Sequence, residues 1–311
     1  MLDCTMLDYK SQVEKLLQKT AIKKNYNNKV LEFLRTESTV NENPRIAKSI
    51  QHIQDCATFL GFTERDGRAL IAKANFCRER ICHVCAWRRQ SKFVAQTIPL
   101  LDVMMKRGYT FVFVTLTVKN CSYSNLSAEI DNLLLAYSKL LKRRKISRSW
   151  LGVMRGVELT YNQASCTFHP HIHLLVAVSP EYFVDSALYV SQKELRALWG
   201  ECLGVDYIPS VDIRSIGEIG RGAVEVMKYC LKPSFEVDAL RSLYYILHGR
   251  RLISFSGVFS KMRKELSLSD FENNLTDDVV PSGNAHYMLY KFDATGGIYK
   301  FYEEFYIERG V

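Results

Sequence analysis

The chain has 311 residues, 47% hydrophobic and 24% charged, and its 42 Lys and Arg against 33 Asp and Glu give a net charge of +9. That composition is ordinary for a globular protein with a sizeable core, and the length suits one large domain or two modest ones. No apolar run approaches the roughly 18 residues that a membrane span requires, and a pI near 9.0 fits a nucleic-acid partner.

The opening MLDCTMLDYK carries two aspartates and no basic stretch, so it does not read as a secretory leader. Nine unevenly spaced cysteines then point to reduced thiols in a cytoplasmic protein. Val13, Leu16, Leu17, Ile22, Val30, Leu31 and Leu34 recur among many Lys and Asn over residues 9–35, which predicts one or two short amphipathic helices. Next comes Cys77-x4-Cys82-x2-Cys85. The Cys82-x2-Cys85 pair has the spacing of a zinc knuckle, and a tetrahedral structural zinc needs a fourth ligand. Cys56 or His83 could supply it; His83 sits between two ligands of one short turn, which favours Cys56. The alternative is a group of reduced thiols in a small core. Arg78, Arg80, Arg88 and Arg89, interleaved with Trp87, would give a zinc module a phosphate-contacting face.

Residues 86–107 read as a helix and Tyr109–Val118 as a buried strand. A strong apolar stripe (Ile130, Leu133, Leu134, Tyr137, Leu140, Leu141) makes Asn125–Lys145 helical, ending in the basic run Lys142–Lys145. Val153–Tyr161 is a strand, followed by a polar turn at Asn162–Cys166 and the strand Thr167–Val178, T-F-H-P-H-I-H-L-L-V-A-V. There His169, His171 and His173 recur at period two, so one strand face carries all three imidazoles. Folding the two strands as a hairpin sets Glu158 across from His171. His171, His173 and Glu158 are thus the expected ligands of a divalent cation, with His169 in reserve. The alternative is three histidines lining a solvated sheet face.

Ser191-x-x-Glu194 is a capping box that opens a helix to about Leu203. Asp206–Ile216 contains a short alternating strand. After Gly217, Gly220 and Gly222 a helix carries Glu225 and Tyr229 at i and i+4, with Lys232 beyond, and Pro233 stops it. Residues 265–290 hold five acids and no Lys or Arg, and Gly296-Gly297 marks a C-terminal hairpin.

The order T-L-T (Thr115–Thr117), H-P-H-I-H (His169–His173), then Glu225-x3-Tyr229-x2-Lys232 resembles the HUH endonucleases, and most of all the plasmid rolling-circle replication initiators (Rep proteins). The cysteine pattern and R-L-I-S-F-S-G-V-F-S-K near residue 255 are similar to that family too. The resemblance spans about Cys56 to Glu265. It implies an α+β fold, with a central five-stranded antiparallel sheet flanked by helices (the HUH palm) and a Cys-rich zinc-binding segment upstream. The expected divisions are a helical segment (1–50), a zinc segment (51–92), the endonuclease domain (93–264) and a tail with a hairpin (265–311). It further implies site-specific nicking and joining of single-stranded DNA. Tyr229 would be the nucleophile, Lys232 would favour its phenolate, and Glu225 would be the base that activates water at termination. Mn or Mg at the histidine site, structural zinc, plasmid origin DNA, a host helicase and polymerase, and a bacterial cytoplasm belong to the same expectation; oligomeric state is open. A transposase or mobilisation relaxase, a metal-dependent hydrolase without a covalent step, and a non-catalytic zinc-containing DNA-binding regulator are the rival readings.

Overall fold

In the computed structural model, which describes residues 4–215, 237–277 and 285–307, the chain forms two units, residues 1–92 with 269–311 and residues 93–268.

The first unit begins with one long helix, α1 (Cys4–Val40), where one or two short helices were expected. No Gly or Pro interrupts residues 4–40, and the central Lys24 and Asn27 are themselves buried. After α2 (Pro44–Asp55), N-capped by the Asn43 side chain, come β1 (Phe59–Arg65) and β2 (Arg68–Ala74). Asp66 and Gly67 join them, both at positive φ (52° and 71°). An Asp-Gly pair is a strong two-residue hairpin signal, and it is the local cue for these two strands. α3 (His83–Lys106) follows. The C-terminal strands β8 (Ala285–Asp293) and β9 (Ile298–Ile307) form the expected hairpin, and β8 pairs with β1 to complete a four-stranded antiparallel sheet of order β2-β1-β8-β9. The last segment is therefore part of this unit's sheet.

Two of the four arginines expected to contact phosphate are engaged within the unit instead. Arg88 and Arg89 are only 4% and 8% exposed. Arg88 donates to the Leu275 carbonyl and to Asp277, Arg89 to the carbonyls of Arg78 and Glu272, and Lys92 to that of Thr276. Their geometry fits carbonyls and a carboxylate of the acidic segment, which they tie down internally. The acid-rich composition of residues 265–290 is in part the counterpart of this basic face.

The second unit is built on a five-stranded antiparallel sheet of order β6-β3-β5-β4-β7: β3 (Thr110–Thr117), β4 (Gly152–Asn162), β5 (Thr167–Val178), β6 (Val211–Ser215) and β7 (Ile253–Gly257). On β5 the pleat sends Ile172, Leu174, Val176 and Val178 to one face, all fully buried. α4 (Tyr123–Leu141) covers that face, with Tyr123 against Phe168 and Tyr137 beneath the Arg155 guanidinium. The helix ends earlier than expected. Lys142 caps it and Arg143 is extended, so that α5 (Arg144–Ser149) can turn Ile146 into the core. α6 (Gln192–Leu203) starts on Ser191, whose hydroxyl accepts from Glu194 N, and ends on the left-handed Gly204. α7 (Val237–Tyr245) precedes β7, and α8 (Val258–Glu265) follows it without a loop. On the opposite face Phe259 of α8 meets Phe111, and Phe93 stacks on Phe255. Those rings fill one end of the face; the histidines stand at the other.

Candidate metal centres

The hairpin register pairs Glu158 with His171 and Gly156 with His173, while β3 places Thr115 beside His173 and Thr117 beside His171. Glu158, His171 and His173 each bring one donor atom within 4.8 Å of the others. Both Nε2 atoms point at Glu158 Oε2, at 3.4 Å for His171 and 2.9 Å for His173. The Nδ1 atoms are engaged elsewhere: that of His173 lies 3.1 Å from the Thr115 hydroxyl and that of His171 3.1 Å from the His169 carbonyl. Phe113 stacks on His173 at 5.4 Å and fixes the ring plane. Two imidazoles whose outer nitrogens are held and whose Nε2 atoms converge on one carboxylate match the donor set and support that a divalent cation requires. Burial pushes the Glu158 carboxyl up, but hydrogen bonds with His171 and His173, and their charge, outweigh it and hold it down at about 2. The carboxylate is thus ionised, as a ligand must be.

His169 stacks on His171 at 5.1 Å, but the group of three does not include it; burial, then the His171 charge, lowers its pKa. Glu225, Tyr229 and Lys232 lie outside the described residues.

The second group gathers Cys56 at the end of α2, Cys77 after β2, Cys82 before α3 and Cys85 in its first turn, again within 4.8 Å. Sγ–Sγ distances of 3.5 Å (Cys56–Cys85), 3.6 Å (Cys77–Cys85) and 3.6 Å (Cys56–Cys82) approach the edge of about 3.8 Å of a tetrahedron with 2.3 Å metal–sulfur bonds. His83 is not part of this group. Backbone N–H groups of Cys77 and Arg78 donate to Cys56 and Cys85 Sγ at 3.4 and 3.3 Å, Arg78 adopting φ 62° to do so. Burial opposes ionisation of Cys82, yet hydrogen bonds from the other thiols carry its pKa well below the usual value, while burial and the same neighbours push Cys85 well above. Four thiolates gathered this closely need a dication to offset their charge.

Sequence reasoning missed the support for this group. Asn27 of α1 donates its amide to Cys82 Sγ at 3.3 Å and accepts from His83 N at 2.8 Å, and Lys24 donates to the Gln54 and Cys56 carbonyls at 3.0 and 2.6 Å. No motif marks these residues. A Lys and an Asn on the apolar side of a helix were the available cue.

An antiparallel sheet with two histidines and a carboxylate gathered at one end, and a four-cysteine group in the other unit, define an α+β protein with two groups of side chains that could each hold a metal. The family described as Replication protein matches residues 68–297. A Protein rep of Streptococcus pneumoniae serotype 2 (strain D39 / NCTC 7466) is 39% identical over 236 residues, 72% of this chain and 74% of that one. A Protein rep of Bacillus amyloliquefaciens is 31% identical over 285 residues, 79% and 83% of the two chains. That of Lentilactobacillus hilgardii is 33% identical over 255 residues, 75% and 81%. No solved structure gives a significant match. The chain belongs to this Rep family of plasmid replication initiators.

Proposed function

We propose that the protein nicks and rejoins one strand of its plasmid origin to start rolling-circle replication. The observation that carries this reading is the convergence of His171 and His173 Nε2 on Glu158, with both Nδ1 atoms held from behind. A divalent cation such as Mn or Mg, held by these three residues, would polarise the scissile phosphate as a Lewis acid. Tyr229 is the nucleophile: its phenolic oxygen forms a bond to phosphorus, the bond to the 3′ oxygen breaks, and that oxygen takes a proton. The products are a 5′-phosphotyrosine and a free 3′-hydroxyl that a host polymerase can extend. The phosphoester keeps the bond energy, so rejoining needs no nucleotide cofactor. Lys232 favours the phenolate, since a free tyrosine with a pKa near 10 is mostly protonated at neutral pH. Glu225 deprotonates a water at termination. Cys56, Cys77, Cys82 and Cys85 hold one structural zinc. No described helix is long and apolar enough to cross a membrane.

Incubation of the protein with a single-stranded origin oligonucleotide and Mn²⁺, followed by a denaturing gel, tests the reading. A shifted protein–DNA adduct is expected, and the His171→Ala/His173→Ala variant should form none. Cleavage without an adduct would replace the tyrosine mechanism by direct hydrolysis.

A further inference from the structure

In the four-stranded sheet, α1 lies against one face, where Lys24 Nζ stands 5.1 Å from the Phe292 ring and Phe62, Tyr290 and Phe301 pack edge to face. The pleat sends the alternate residues to the other face. There Phe59, Gly61 and Thr63 of β1 pair with Lys291, Leu289 and Tyr287 of β8, and Tyr287 pairs with Phe305 of β9. The Tyr287 and Phe305 rings stack at 5.2 Å and 14°, and Lys73 of β2 holds its ammonium 5.3 and 5.2 Å from their centres. A register shift between Leu289 and Tyr290 leaves Tyr302 of β9 without a partner in the ladder. Its ring meets Lys291 Nζ at 3.3 Å, which places it on this same face. Tyr302 is 54% and Phe59 37% exposed, and Lys73 and Lys291 are exposed as well.

We propose that this face binds single-stranded DNA, with bases stacking on Tyr302 and Phe59 and phosphates meeting Lys73 and Lys291. An antiparallel sheet with a helix behind it and exposed aromatics interleaved with cations in front is the arrangement by which proteins hold single strands. A duplex keeps its bases stacked inside and would leave the two rings without a contact. A protein partner would have to bury the lysines, which is costly without matching carboxylates. Lys300 adds little, because Asp293 engages it at 2.7 Å. The proposal rests on the reading of DNA as the substrate. It adds a contact in the first unit, separate from the histidine site of the second.

The test is fluorescence anisotropy of the full-length protein with a labelled oligothymidine that contains no origin, and with a duplex of equal length. Tyr302→Ala should weaken single-strand binding about tenfold, and Lys291→Gln should reduce the slope of log affinity against log salt by about 0.7. Tyr306 stacks on His286, on the opposite side of the pleat, and is 67% exposed, so Tyr306→Ala is the control and should bind as the parent does. Duplex binding should be the same for all. Parent-like single-strand binding by both Tyr302→Ala and Lys291→Gln would overturn the proposal, and so would equal losses on duplex or an equal loss in Tyr306→Ala. A protein that binds single strands as described but never forms the adduct would refute the nicking reading and leave this surface standing.

Discussion

At the scale of single residues, the T-L-T stretch acquires a physical role. The Thr115 hydroxyl at 3.1 Å from His173 Nδ1 leaves Nε2 as the nitrogen facing Glu158. Thr115→Val keeps the branched shape and the strand preference but removes that partner. Outer partners of metal-bound histidines typically contribute 10–100-fold to affinity, so Mn²⁺ affinity should fall by about that factor. Calorimetric titration reads it, and an unchanged affinity removes Thr115 from the site. Tyr229 and Glu225 should fail differently. Tyr229→Phe loses one oxygen, so the adduct should vanish from the gel while the fold survives. Glu225→Gln keeps the nucleophile and should still form the adduct, but an amide cannot deprotonate water, and replication products longer than one plasmid unit should accumulate. An adduct in Tyr229→Phe would move the nucleophile elsewhere; normal termination in Glu225→Gln would assign the base to another group.

At the scale of elements, what could be read in advance followed from local chemistry. Period-two histidines, a short polar turn and β-branched flanks settle the β4–β5 hairpin, and counting back from the turn is enough to put Glu158 opposite His171. The cysteine spacing gives three members of the second group and points to the fourth. Long-range partners were not legible. Nothing in the local sequence around Arg88 says that it meets Asp277, and nothing around Asn27 announces Cys82. Burial of such polar residues depends on tertiary contacts far along the chain. The S-G-V-F stretch is an intermediate case. Gly257, at φ 57° and ψ −132°, closes β7 directly onto α8, and Val258 N donates to the Leu151 carbonyl at 3.1 Å. A Cβ at Gly257 would overlap that same carbonyl and stand 2.7 Å from Gly152 Cα, so two backbones cross where only glycines fit. Gly257→Ala should destabilise the protein by about 2–4 kcal/mol, from the strained φ and the forced separation of β4 from β7. Urea unfolding measures it, and a loss near zero would mean the crossing relaxes freely.

At the scale of the whole molecule, each unit has its own sheet and its own group of side chains that could hold a metal, and the two groups differ in what their loss should do. The histidine group sits at the end of a sheet already filled by Phe111, Phe113, Leu174 and Val176, so removing its cation should leave that unit folded. The cysteine group joins the end of α2, the loop after β2 and the start of α3, with α1 tied on through Lys24 and Asn27. Structural zinc contributes on the order of 10–16 kcal/mol in small zinc modules, as much as the roughly 5–15 kcal/mol that holds a typical domain. Zinc release by an organomercurial should therefore expose α1 and the strands of the first unit to protease, while the five-stranded sheet of the second unit stays protected. Asn27→Ala should speed zinc release to a chromophoric chelator by about tenfold, since it removes the N–H to Cys82 and the acceptor for His83 together. Simultaneous digestion of both units on zinc removal would show that they fold as one, and zinc release from Asn27→Ala at the parent rate would leave α1 as packing alone.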